Sequence, residues 1–141
     1  MSNGHPDIDR TVVAILGPTA SGKSALGLAL AKRFGGEIIS CDSTAVYKGF
    51  EIGPDKVPLA EQDNVPHHLV DLVEPSCEYT AADYARDAMR AITDIRRRGR
   101  LPILVGGTGF YYQAVVRGWF PGPAREPAVR NGFECIAARR G

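Results

Sequence analysis

No stretch of this sequence approaches 18 consecutive apolar residues, which excludes an ordinary membrane-spanning helix. Neither sign of charge is in excess: 17 Lys and Arg stand against 16 Asp and Glu, for a formal net charge of +1. That balance excludes a globally basic chain, so any nucleic-acid surface must be local. Cysteine is scarce, with Cys41, Cys77 and Cys135 far apart. They form no CxxC pair and no metal-ligand spacing, and an odd number argues against a disulfide framework, so reduced thiols are expected. The first ten residues are polar and lack the apolar core of a secretory signal. The expectation is a soluble, cytoplasmic protein with no membrane partner. Its 141 residues suffice for one domain with a single core.

Residues 1–10 read as a disordered lead, 11–120 as an α/β core, and 121–141 as a linker and degenerate tail. Thr11 to Leu16 is a continuous apolar, β-branched run, which suits a buried parallel strand. Gly17 to Gly22 is a loop. A helix is expected from near Lys23, with Leu26, Ala29, Leu30 and Phe34 on one face and Gly35-Gly36 ending it. Glu37 to Cys41 reads as a second buried strand. From Asp42 to Pro66 there is no sustained period, and a long irregular segment in a compact domain is more often functional than decorative. His67 to Val73 is expected to contain a short extended piece.

Thr80 then caps a helix, with Asp83 as the acid of a capping box. Tyr84, Ala88, Ile92 and Ile95 make one stripe on it, with Ala85 and Met89 beside them. Arg96, Arg97 and Arg98 close that helix. They read either as an RNA contact or as cations complementing the helix dipole. Leu101 to Val105 is a third buried strand, ended by Gly106-Gly107, and a helix should run from Thr108 to Val116. Strand and helix alternate throughout, the pattern of a parallel sheet with right-handed connections.

Gly17-Pro18-Thr19-Ala20-Ser21-Gly22-Lys23-Ser24 matches GxxxxGK[ST] in full, between an apolar strand and the start of a helix. The glycines let backbone N–H groups wrap a phosphate, and the helix N-terminus adds about half a positive charge. Lys23 can reach terminal phosphate oxygens, and Ser24 can offer its hydroxyl to Mg²⁺. The fold class implied is a P-loop NTPase-like parallel sheet with flanking helices. No acid follows the strand LPILV, where a nucleotide hydrolase carries one for its metal. The available acid is Asp42, past the second strand at the carboxyl edge of the sheet, where open α/β sheets bind ligands. It reads as a metal-associated acid, a general base or a turn cap.

Four segments together, GPTASGKS, ISCDSTAVYKGFEIG, HHLVDLVEPSCEYTAADYARDA and GRLPILVGGTGFYYQAVVRG, resemble the tRNA dimethylallyltransferases, also called tRNA isopentenyltransferases. The resemblance runs from about residue 11 to residue 130 in one order. The GGT element and the DS-x-x-x-Y-K-G-x-x-I-G element are more specific than the P-loop alone. Adenylate isopentenyltransferases share the architecture.

The resemblance implies transfer of a dimethylallyl group from its diphosphate to the exocyclic amine of the adenine beside the tRNA anticodon. Residues 17–24 would hold the diphosphate, with Mg²⁺ as cofactor. Asp42 would be the base, and Thr108 would lie near the diphosphate and the target base, or cap the helix that follows, or both. Asp42, Ser43, Thr44 and Ala45 fall on a tRNA-contacting stretch, and Arg130 on a tRNA-contacting arginine. Ala45 stands where the family usually has Gln, and Gly53 to Pro58 replaces its GTAKP run. Members usually extend well past this length, adding sheet strands and a helical insertion, so the sheet is expected to be truncated and to leave an apolar edge. Two other readings stay open: a P-loop nucleotide or small-molecule kinase, and a non-catalytic diphosphate-binding fragment.

Overall fold

The structure is a computed structural model that describes residues 11–18, 20–49 and 62–118. The assigned lead and tail, 1–10 and 121–141, lie outside the described residues, as does the diverged run at 53–58. Seven elements follow in chain order: β1 (Val13–Leu16), α1 (Lys23–Phe34), β2 (Gly36–Ser40), β3 (His67–His68), α2 (Ala81–Arg97), β4 (Leu101–Gly106) and α3 (Gly109–Arg117). The expected strands and helices are all present, within a residue or two. None of the described helices is long and apolar enough to cross a membrane.

All strand pairs are parallel, and the sheet order is β1-β4-β2-β3. The last strand in sequence therefore slots between the first two. That central place accounts for β4 being buried at every position, as its unbroken apolar run requires. Ile38, Ile103 and Val105 point to the α1 side, joining Ala31 and Val65. Ile39, Cys41 and Leu104 point the other way, into a core with Tyr84, Ile92 and Tyr111 from α2 and α3. Alternation along each strand thus feeds two cores, one on each face. At the β1 edge no further strand pairs among the described residues.

Helix α1 reverses one expectation. Its buried residues are Lys23, Gly27 and Ala31, whereas Leu26 is 51% exposed. The cause is close approach to β4: a Cβ at Gly27 would lie 2.7 Å from a methyl of Val105. The helix meets the sheet with its smallest side chains, which turns the leucine outward.

Helix α2 begins as expected. The Thr80 hydroxyl accepts from Asp83 N–H at 3.1 Å, and Asp83 Oδ2 accepts from Thr80 N–H at 2.9 Å, closing the capping box. Tyr84, Ala88, Ile92 and Ile95 are all buried, and Met89 beside them is not.

Its far end keeps Arg96 and Arg97 in the last turn, as the dipole reading expects, and gives Arg98 a further partner. Arg98 is neither free for RNA nor simply facing the dipole. It donates through Nη2 to Glu37 Oε2 at 2.9 Å and through Nη1 to Oε1. Glu37 lies fully buried on β2, and His68 of β3 meets it at 2.6 Å, with Arg100 at 3.6 Å. One carboxylate thus gathers β2, β3, the end of α2 and the start of β4. A buried carboxylate is tolerated only when paired in this way.

Burial alone would raise the Glu37 pKa, but the hydrogen bonds from Arg98 and His68 outweigh it and hold the group below its ordinary value. A depressed carboxylate stabilises the fold above its unfolded-state pKa, and that contribution disappears as pH falls through the folded value. Arg98→Met should therefore destabilise the fold at pH 7, by less than the full cost of stripping a buried charge of its partners, because His68 and Arg100 remain. The deficit should shrink as the pH is lowered below the carboxylate range. Urea unfolding at pH 7 and at low pH reads both, and an unchanged midpoint at pH 7 would remove the cluster from the account of stability.

Candidate functional site at the carboxyl edge of the sheet

Because β4 lies between β1 and β2, the three segments that leave those strands emerge side by side. They are Gly17 onward from β1, Cys41-Asp42-Ser43 from β2, and Gly107-Thr108 from β4. The junction is tight. A Cβ on Gly106 would sit 2.2 Å from the Cys41 carbonyl oxygen, so no other residue fits there without moving β2. Gly17 N–H donates to Gly106 O at 3.3 Å, Cys41 N–H to Val105 O at 2.8 Å, and Thr108 N–H to Cys41 O at 3.0 Å.

The P-loop is concave through its backbone. Ala20 (φ 63°) and Gly22 (φ 84°) are both left-handed, and Gly22 caps α1. For Ala20 that conformation costs about 1–2 kcal/mol. Strain of this kind is characteristic of loops whose amides must converge on an anion. Ser21 N–H donates to Pro18 O at 3.3 Å, closing the turn. The Lys23 side chain folds back across it, Nζ donating to Pro18 O at 3.1 Å, and only 4% of the residue is exposed. A buried ammonium at a helix N-terminus is a strong call for an anion. Ser24 follows in the first turn of α1 and lines the same cavity as Lys23. Thr19 lies outside the described residues.

Asp42 is held by the turn it forms. Its Oδ1 accepts from Thr44 N–H at 2.8 Å, Thr44 Oγ1 at 2.7 Å and Ala45 N–H at 3.3 Å. The turn-cap reading is therefore realised, and it fixes the carboxylate where it lines the cavity beside Ser24. Ser43 and Thr44 are exposed on the rim. Ala45 is different: it is buried, and its carbonyl accepts from Asp71 N–H at 2.9 Å. Arg130 lies outside the described residues.

Thr108 occupies the N-cap position of α3, but its side chain makes no capping bond. Instead Oγ1 accepts from Ser43 N–H at 3.0 Å and lies 3.4 Å from Ser43 Oγ. Its hydroxyl braces the Asp42 turn. Behind it, Tyr84 donates to Ser40 O at 2.9 Å and stacks on Tyr111 with ring centroids 4.3 Å apart. This aromatic pair backs the end of β2.

The cavity itself measures about 30 Å³ and lies between α1 and the β2–β3 pair, with Lys23, Ser24, Ser40, Asp42 and His67 in its walls. Sequence reasoning did not single out His67. Its Nδ1 lies 2.8 Å from Val65 O, an oxygen that can only accept, so Nδ1 carries the proton and Nε2 is the acceptor. Nε2 is buried and has no partner. Burial pushes the His67 pKa down, which keeps the ring neutral. The signal available in sequence was a histidine doublet directly after Pro66.

Among the described residues no group of three His, Cys, Asp or Glu side chains could cage a metal. A hydroxyl and a carboxylate beside an anion loop suit Mg²⁺ nonetheless, since that ion keeps several waters and leans on substrate phosphates.

Comparisons with known proteins match both the sequence and the fold of this chain. A family model described as IPP transferase matches residues 45–141. A tRNA dimethylallyltransferase of Solibacter usitatus is 52% identical over 92% of this chain and 42% of its own length. One from Halorhodospira halophila gives the same figures. The crystal structure of a full-length tRNA isopentenylpyrophosphate transferase from Bacillus halodurans superposes with a TM-score of 0.77 at 45% identity. That match covers 92% of this chain and 43% of the other. A eukaryotic dimethylallyltransferase captured acting on tRNA gives 0.75 at 39% identity, over 83% of this chain and 30% of the other. The chain thus spans about two fifths of the length of the curated relatives it matches. On the family-model match, this chain belongs to the IPP transferase family.

Proposed function

We propose that this chain provides the donor-binding and base-positioning part of a tRNA dimethylallyltransferase. The observation that carries the reading is the convergence of the P-loop, the Asp42 turn and Thr108 on one sheet edge, held together through Gly106. In this reading residues 17–24 hold the diphosphate of dimethylallyl diphosphate, and Lys23 neutralises charge as the diphosphate leaves. Bound Mg²⁺, held by the Ser24 hydroxyl, would supply further neutralisation of that leaving group. The exocyclic amine of a tRNA adenine forms the new N–C bond as the C–O bond to diphosphate breaks. Asp42 accepts the proton that the amine gives up.

An adenine amine is a weak nucleophile, so the reaction depends on holding amine and carbon in line. Thr108 contributes through position: by bracing Ser43 it sets the direction of the Asp42 carboxylate. Exposed Ser43 and Thr44 form the rim over which an anticodon loop would lie. Ala45 takes no part in reading the base, because its side chain is in the core. Arg130 is retained as a tRNA contact on the family resemblance.

Dimethylallyl diphosphate with Mg²⁺ should raise the melting temperature, and ATP should do so much less. At a hundred times its dissociation constant the donor would add about 2.7 kcal/mol of stability. Lys23→Ala should abolish that shift. A larger shift with ATP would instead favour a kinase.

Asp42→Asn keeps an oxygen for the turn but loses the base. It should retain the donor-induced shift while lowering prenyl transfer to an anticodon stem-loop by about 10²–10⁴-fold. Transfer at the parent rate would remove Asp42 from the chemistry.

A further inference from the structure

The cavity beside the P-loop contains a group that the donor-binding reading does not use. His67 Nε2 is an acceptor, buried and unpartnered, in the same walls as Lys23, Ser24 and Asp42. Leaving such a nitrogen unsatisfied is costly, and buried polar atoms without partners cluster at functional sites. The question is which donor it receives.

Size and polarity narrow the answer. About 30 Å³ holds only one or two waters, since each needs roughly 10–15 Å³ on this measure. A diphosphate oxygen is excluded, because it is an acceptor facing an acceptor. The neighbouring Lys23 ammonium donates to Pro18 O and makes no bond to Nε2. What remains is a small neutral or cation-bound O–H donor adjoining Ser24.

Resting on the donor-binding reading above, we infer that His67 is a positioning residue for the metal: its Nε2 accepts a hydrogen bond from a water of the hydrated divalent cation held at Ser24 and the diphosphate. Every water on such a cation is a donor, and its O–H is polarised by the ion, so a fixed acceptor is the complementary partner. The tautomer needed is already set. Val65 O captures the Nδ1 proton, so Nε2 is presented as an acceptor before the cation arrives. The strand pairing fixes the height of the ring, since His67 lies opposite Ile38 of β2, which lines the cavity with Ser40 and, just past the strand, Asp42. The role belongs to His67 alone of the doublet, because His68 is committed to Glu37 on the other face.

The test titrates Mn²⁺ into the protein saturated with inorganic pyrophosphate, following the EPR signal of free Mn²⁺. His67→Phe keeps the ring volume and removes the acceptor, and should weaken Mn²⁺ binding about 10- to 100-fold. His67→Gln can return an acceptor oxygen near the position of Nε2 and should recover most of the affinity. Pyrophosphate binding without metal should be the same in all three proteins.

Unchanged Mn²⁺ affinity in a folded His67→Phe protein overturns the inference and leaves the donor-binding reading standing. Equal weakness of both variants also overturns it, since packing rather than an acceptor would then be at work. A parent protein that binds no pyrophosphate brings down the donor-binding reading, and this inference with it. Should His67→Phe fail to fold, ¹⁵N NMR of the parent decides. The Nε2 resonance should move upfield when Mg²⁺ and pyrophosphate are added together, and a resonance that stays put overturns the role.

Discussion

Everything at the carboxyl edge depends on how closely β4 is pressed between its two neighbours. Gly106 is the contact point, with the Cys41 carbonyl lying where a side chain would start. That approach lets the backbone of the GGT element reach both ways. It bonds to the P-loop through Gly106 O and to the β2 exit through Thr108. Loops that would otherwise move separately become one surface. The transfer proposed above would tolerate little slack, and a rigid common floor would hold donor and acceptor in line.

The two ends of the sheet are used in opposite ways. At the amino end, charge is consumed internally: Glu37, Arg98, His68 and Arg100 satisfy one another and seal the edge. At the carboxyl end, charge is held for a ligand. Lys23 is buried at the positive end of α1, and a left-handed Ala20 shapes the loop in front of it. The same sheet thus carries a network closed among its own side chains at one end and a cationic, amide-lined loop at the other.

Much of this was legible in the sequence where a local rule decides the outcome. The P-loop needs its glycines within eight residues, and the capping box needs Thr80 and Asp83 three apart, so both could be read directly. The face of α1 was read in part: Leu30 and Phe34 pack on the core as expected, while the Gly27–Val105 contact turns Leu26 outward. The further partner of Arg98 was missed for a related reason: it lies sixty-one residues away, on a strand that read as apolar. Thr108 was open to a role at the site, a helix cap, or both; its side chain makes no capping bond, and only the tertiary neighbour Ser43 shows where its hydroxyl goes. Strand order and the orphaned nitrogen of His67 are likewise products of long-range assembly. No local pattern encodes them.

The central position of β4 also governs the order in which this sheet can be made. Its two flanking strands are synthesised first, and neither has its principal partner until residues 101–106 leave the ribosome. At ordinary synthesis rates that delay is on the order of several seconds. Throughout it, β1 has no paired neighbour and β2 has only the two-residue β3, so short apolar strands carry open edges. Such edges are templates for pairing with other chains, and the sequence separation makes their native pairing slow. The strand that unites the site therefore arrives after both strands it joins, and mutations that slow β4 docking should reduce yield before they reduce the stability of the finished fold.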